Sequence, residues 1–197
     1  MNLTEMVTRT REDLKDTDSQ NYIWQDGEIQ SAILRAVDEY SLQVPMQHQD
    51  DIATTDGDSE IDITSLESLL QVDSVEFPLG QNPKHMQHIE YWAGQLYMED
   101  EGDGADARVR WLAKHTMDPE DTTIPLEHQE IIVLGATAYL AMAASAYTVD
   151  RATIAGPRGT ISYKEWGTER FKRYDQKLKQ VAQANRVTKR TLYTVDE

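Results

Sequence analysis

Residues 131–149 read IIVLGATAYLAMAASAYTV, nineteen positions without a charge in a chain of which 27% is charged. A run like this crosses a bilayer, forms a core, or joins copies of a protein. Its length meets the roughly 18 apolar residues that a membrane span needs. Its composition does not. Six of the nineteen are Ala, and Gly135, Thr137, Ser145 and Thr148 add polarity or exposed backbone. The flanks hold Glu127, Glu130 and Asp150 rather than the Lys/Arg cluster of a cytoplasmic side. We therefore expect no membrane association. A helix that is small or apolar all round is buried on most sides. It either lies at the centre of one subunit, or packs in the subunit on one side and against the next copy on the other. Ile131, Leu134, Ala138 and Met142 would form one face, and Ile132, Gly135, Tyr139 and Ala143 another.

Two amphipathic helices open the chain. Leu3, Val7, Thr10 and Leu14 recur at helical spacing, and so do Ile29, Ile33, Val37 and Tyr40. Asp26 is the expected N-cap of the second helix, and Pro45 stops it. Residues 48–115 change character. Asp56-Gly57 signals a hairpin between two short runs. Leu70, Val72, Val75 and Phe77 shift phase midway, which predicts a bulge. HIEYWAGQLYM reads as two aromatic strands around Ala93-Gly94. Val109, Trp111 and Ala113 alternate with Arg108, Arg110, Leu112 and Lys114.

Helix returns at Pro125, with Glu127 and Glu130 at its positive end. A Gly-Pro-rich connection follows. Ser162 and Glu165 form a capping box, and Gly167, Phe171, Tyr174, Leu178 and Val181 make a narrow stripe. The order predicts a mainly α fold. A four-helix bundle (residues 1–47 and 116–184) carries an antiparallel β insertion between helices 2 and 3 (48–115) and an extended C-terminal arm (185–197).

Charge is unevenly spread. Residues 1–150 carry a net −22 and residues 151–197 a net +6. An acidic body with a basic C-terminal segment predicts either a solvated helix face or an arm that lies on an acidic neighbour. The 19 Asp against 8 Lys lean towards a high-salt host. With no Cys there is no disulfide, no Cys-based zinc site and no Cys nucleophile. The first residues hold no apolar signal-peptide core, so the chain is expected to stay where it is made.

The chemistry-bearing motifs are thin. His85 and His88 would point to opposite faces of a strand and cannot share a metal there; on a helical turn they could, but no third ligand is evident. The acidic loop 99–106 mimics a calcium loop as far as Gly104, but Arg110 stands where a bidentate Glu is required. Gly156-Pro157-Arg158-Gly159 lacks the Lys-Ser/Thr of a phosphate loop. We expect no enzyme activity, no cofactor and no resident metal. An acidic body repels DNA, leaving Arg151, Arg158 and the terminal arm as the possible contacts.

Several motifs together resemble the head–tail adaptor proteins of tailed phages and related viruses. Trp24-Gln25-Asp26-Gly27-Glu28-Ile29 matches that family's W-x-D-x-E-I/L helix start, and Ala36-Val37-Asp38-Glu39 its A-V-x-E helix. The segment from Val75 to Pro125 resembles the β insertion of the longer adaptors, and HQEIIVLGATAYLAMAAS their Ala-rich third helix. The likeness covers roughly residues 3–150, together with the order of the last helix and tail.

The resemblance implies a virion structural protein in the neck, assembled in the host cytoplasm. Its copies form a ring, usually of twelve, under the portal protein. The ring extends the channel through which genomic DNA passes and offers a platform for the stopper or a tail-completion protein. Arg170, Lys172, Arg173, Lys177, Lys179, Arg186, Lys189 and Arg190 would dock on the portal, with Leu192 and Tyr193 as apolar anchors. Ala138, Ala141 and Ala144 would make close helix or subunit contacts. Another neck or tail-completion protein, and a soluble nucleic-acid-binding or regulatory module, remain as alternatives.

Overall fold

The computed structural model describes residues 1–148 and 163–185. Four helices, α1 (Leu3–Leu14), α2 (Asp26–Gln43), α3 (Gln129–Thr148) and α4 (Tyr163–Ala184), share these residues with six strands. The strands are β1 (Met46–Ala53), β2 (Glu60–Asp62), β3 (Leu69–Glu76), β4 (Ile89–Trp92), β5 (Gln95–Met98) and β6 (Asp106–Ala113). They form two three-stranded antiparallel sheets, ordered β1-β6-β3 and β2-β5-β4. The fold is therefore α+β and not the mainly α bundle expected from sequence. The physical reason is that the strands bury a core of their own. Contacts divide the chain into a unit of residues 1–44 and 117 onward, and a unit of residues 45–116.

In the helical unit, Met6, Ile29, Ile33, Tyr40, Ile132 and Tyr174 are fully buried, and α3 packs on α1, α2 and α4. The periodic residues of α1 and α2 face this core as their spacing requires. Asn2 opens α1 with a capping box. Its Oδ1 accepts from Glu5 N at 2.9 Å, and Glu5 Oε2 accepts from Asn2 N at 3.0 Å. At α2 the N-cap is Gln25 rather than Asp26, with Glu28 reaching back to Gln25 N at 2.8 Å. Asp26 is the first helical residue, and its carboxylate is drawn to Arg11 instead.

The β unit encloses Ile61, Ile63, Val75, Leu96, Val109 and Trp111. Ala107, Val109, Trp111 and Ala113 of β6 are all buried, which is the alternation read from the sequence. The phase change in β3 appears as register shifts between Leu69 and Gln71 and between Val72 and Ser74. Ala93 (φ 50°) and Gly94 (φ 85°) close the β4–β5 hairpin in the left-handed pair that tight hairpins use. Asp56-Gly57 does not close one. Gly57 turns the chain at φ 73°, but β1 pairs with β6 and β2 with β5.

Candidate functional site

In the helical unit, α4 packs along α3. Gly167, Tyr174 and Leu178 are buried on α4, with Phe171 and Val181 partly covered beside them. The Tyr174 hydroxyl donates to Ala36 O at 3.0 Å. Burial raises the Tyr174 pKa far above that of an ordinary tyrosine, with the Glu39 and Tyr139 charges adding to it. Gly135 makes room for the ring, since a Cβ there would lie 2.8 Å from Tyr174 Cε2. A Cβ at Gly167 would likewise lie 3.0 Å from the Ala141 Cβ, so the two glycines let α3 and α4 approach closely.

This geometry answers the question raised by the uncharged run. Every residue from Ile131 to Ala141 is buried within the helical unit except Leu134, which is partly so. Ala138 and Ala141 are 0% exposed, so the contacts they make are inside the chain. Ala144 is partly buried against the same core. After Glu130 at its start, the next exposed residues of α3 are Met142 and Ala143. Among the described residues no helix is long and apolar enough to cross a membrane.

The basic residues of α4 divide into two kinds. Arg170 is held inward. Its Nε donates to Thr137 Oγ1 at 2.9 Å, its guanidinium pairs with Asp13, and it lies 4.6 Å from the centre of the Trp166 ring. Burial lowers its pKa, and the Arg173 charge lowers it further. Arg170 thus ties α4 to α1 and α3. Lys172, Arg173, Lys177 and Lys179 face outward and are exposed. Arg173 pairs with Glu169 at 2.5 Å and Lys179 with Asp175 at 2.7 Å. Exposed i,i+4 pairs of this kind are worth about 0.3–0.5 kcal/mol, so a partner's carboxylates can replace them readily. Arg151, Arg158, Arg186, Lys189, Arg190, Leu192 and Tyr193 lie outside the described residues.

The motif that carried the family resemblance is structural. Trp24 is buried and stands edge-on to Tyr163 at 6.1 Å, Glu28 caps α2, and Ile29 is in the core. Asp26 belongs to a cluster that sequence spacing did not reveal. Arg11 donates from Nη1 to Asp16 Oδ2 at 2.7 Å, and from Nη2 to Asp26 Oδ1 at 2.6 Å and Trp24 O at 2.9 Å. Asp16 also accepts from Ile23 N at 2.8 Å. One buried cation therefore sets the path of the whole α1–α2 connection.

His85 and the acidic loop, both considered for metals, have other partners. His85 Nδ1 lies 2.9 Å from Phe77 O, and the Gln87 amide donates to Phe77 O and to Asp100 Oδ2, both at 2.7 Å. The acidic loop is tied by backbone to the 54–58 turn. Gly102 N donates to Asp58 O at 2.8 Å, and Gly57 N donates to Gly102 O at 2.9 Å. A Cβ at Gly102 would stand 2.6 Å from Thr55 O, which accounts for the glycine. Among the described residues no three His, Asp or Glu side chains converge as a metal site.

No protein-family model matches the chain, and no curated protein matches it. Among solved structures, a chain from the neck of an empty GTA particle computed with C6 symmetry is similar at a TM-score of 0.31 and 8% identity. The match covers 82% of this chain and 87% of that one. A TM-score of 0.31 does not establish a common fold.

Proposed function

We propose that this chain is a head–tail connector adaptor of a tailed-virus particle. Its copies form a ring under the portal, continue the DNA channel, and present a platform to the stopper or tail. One observation carries the reading: α4 is locked to the core along one side and offers Lys172, Arg173, Lys177 and Lys179 along the other, on a chain whose residues 1–150 carry −22. A rigid basic face on an acidic body suits docking to an acidic protein surface, because complementary charge steers encounter and fixes register. The acidic remainder suits a channel that DNA traverses without adhering. The β unit, with a separate core, suits a second contact towards the tail.

Co-expression with the portal protein of the same genome tests this. The expected result is a ring of this chain on purified portal, counted by native mass spectrometry and seen in particle necks. A chain that does not co-purify with portal and is missing from the neck of finished particles would overturn the proposal.

A further inference from the structure

The sheet β2-β5-β4 has one face in the core of the β unit. Ile61 faces Leu96 and Ile89 faces Met98 across the ladders, and these four turn inward. Strand alternation sends their neighbours to the other face, which two rows cross. Glu60, Tyr97 and Glu90 form one row, and Asp62, Gln95 and Trp92 the other. Trp92 is 76% exposed, and Glu60, Asp62 and Glu90 are exposed around it. Trp92 and Tyr97 are diagonal neighbours on adjacent strands, a separation of about 7–8 Å that aromatic side chains reach across. Glu90 stands two residues before Trp92 on the same face, about 7 Å away along the strand.

The four Lys and Arg of residues 45–116 are Lys84, Arg108, Arg110 and Lys114, and none lies on β2, β4 or β5. Lys84 and Arg110 pair with Glu76, and Arg108 pairs with Asp51. The Thr64 hydroxyl donates to Asp62 Oδ1 at 2.7 Å, and the Thr64 N–H at 2.9 Å. These bonds hold the Asp62 carboxyl below the usual carboxylate range and fix its direction.

An exposed tryptophan on a folded sheet marks a contact surface, because interfaces draw much of their energy from buried aromatic anchors. The rim decides what it contacts. Three carboxylates repel DNA and anionic lipid and attract a cation. Arginine suits such a face better than lysine. Its planar guanidinium stacks on an aromatic ring while its edge pairs with a carboxylate, and it sheds water more easily than an ammonium. A neutral sugar also stacks on tryptophan, but it gains nothing from the charge.

We propose that the outer face of β2-β5-β4 docks a partner protein through an arginine side chain, stacked on Trp92 with Glu90 beside it and Glu60 and Asp62 extending the anionic rim. This surface belongs to the β unit alone and does not rest on the adaptor reading.

Nuclear magnetic resonance on the full, isotope-labelled chain tests this, with a capped pentapeptide of alternating glycine and arginine as the probe. At about 10 mM peptide, a site with a dissociation constant of about 1 mM is about nine-tenths filled. The Trp92 indole N–H and the amides of Glu90 and Tyr97 should shift and saturate. The matching lysine peptide should bind at least about threefold more weakly, and the matching glutamine peptide should leave these signals in place. This comparison needs no variant. Glu60→Gln, Asp62→Asn and Glu90→Gln together should weaken the arginine peptide at least about tenfold. Trp92→Ala should weaken it at least about threefold, read at the Tyr97 amide. Unmoved Val109 and Ala113 amides show that the β unit is folded in both variants. No saturation with the arginine peptide, equal binding of the lysine or glutamine peptide, or native affinity in the triple variant overturns the proposal. So does movement of the same signals when the protein alone is diluted, which assigns the face to a second copy. Movement with maltotriose but not with the arginine peptide overturns it in favour of a sugar.

Discussion

Gly167 of α4 stands so close to Ala141 of α3 that a Cβ added at 167 would lie 3.0 Å from the Ala141 Cβ and 3.2 Å from Met142 N. One of those neighbours is backbone and the other is a methyl group with no rotamer, so neither yields easily. Ala141→Leu adds three carbons to a site with no exposed surface. Overpacking of this kind costs about 1–3 kcal/mol. Thermal unfolding followed by circular dichroism should show a lower midpoint for Ala141→Leu, and an unchanged one for Ala143→Leu at the exposed neighbour. Equal midpoints for all three proteins would mean that the seam is looser than its geometry.

Arg11 and Asp16 make a second test. The Asp16 side chain is 2% exposed and that of Arg11 8%, so removing the cation strands a buried carboxylate. Breaking such a pair from one side costs about 3–5 kcal/mol. Arg11→Ala should move the urea midpoint down by more than Asp26→Ala does, because Asp26 is 68% exposed and water replaces its lost partner. A smaller loss in Arg11→Ala than in Asp26→Ala would place the weight of the cluster on the surface pair.

What the sequence made legible follows from how local each signal is. The helical periods of α1 and α2, the alternation along β6 and the Ala93-Gly94 hairpin depend on neighbours a few residues apart, and all are present in the structure. Asp56-Gly57 carries the same kind of local signal and misleads, because the runs beside it find partners far along the chain. Ala53 faces Asp106, and Ile61 faces Leu96. The mainly α class expected from sequence fails for the same reason. Single strands are readable locally, but their closure into a second core depends on pairings far apart in the chain. Arg11 was invisible as an organiser, since its partners at 16, 24 and 26 meet only after the connection folds. On α4 the charge count was readable, but the difference between Arg170 and Lys172 was not. It depends on Asp13 and Thr137 from other helices.

Tyr40 predicts a pH dependence. Burial pushes its hydroxyl up to about 12, with the Glu127 charge adding to the shift, and the hydroxyl lies 2.6 Å from His128 Nδ1. An unfolded tyrosine ionises near pH 10. Above that the unfolded chain releases a proton that the folded chain retains, so stability falls as pH rises. The contribution is complete below about pH 10 and is lost as pH climbs through about 12. Urea midpoints at about pH 9 and pH 11 should differ in the native chain, and differ less in Tyr40→Phe. The residual drop in that variant is expected from Tyr174, which burial shifts in the same direction. An identical drop in both proteins would remove Tyr40 as a source.

The outer face of α4 separates assembly from stability. Replacing Lys172, Arg173, Lys177 and Lys179 together by Gln removes four exposed charges and two surface pairs. Each pair is worth about 0.3–0.5 kcal/mol, so the unfolding midpoint should fall by only a few degrees at most. If this face docks on an acidic portal surface, affinity for portal should drop at least about tenfold, and the residual binding should respond less to added salt. Arg170→Ala should behave in the opposite way. It removes the tie to Asp13 and Thr137, so the midpoint falls clearly, while the docking face keeps its charge. Portal binding by the quadruple variant at native affinity and salt dependence would move the docking surface away from α4.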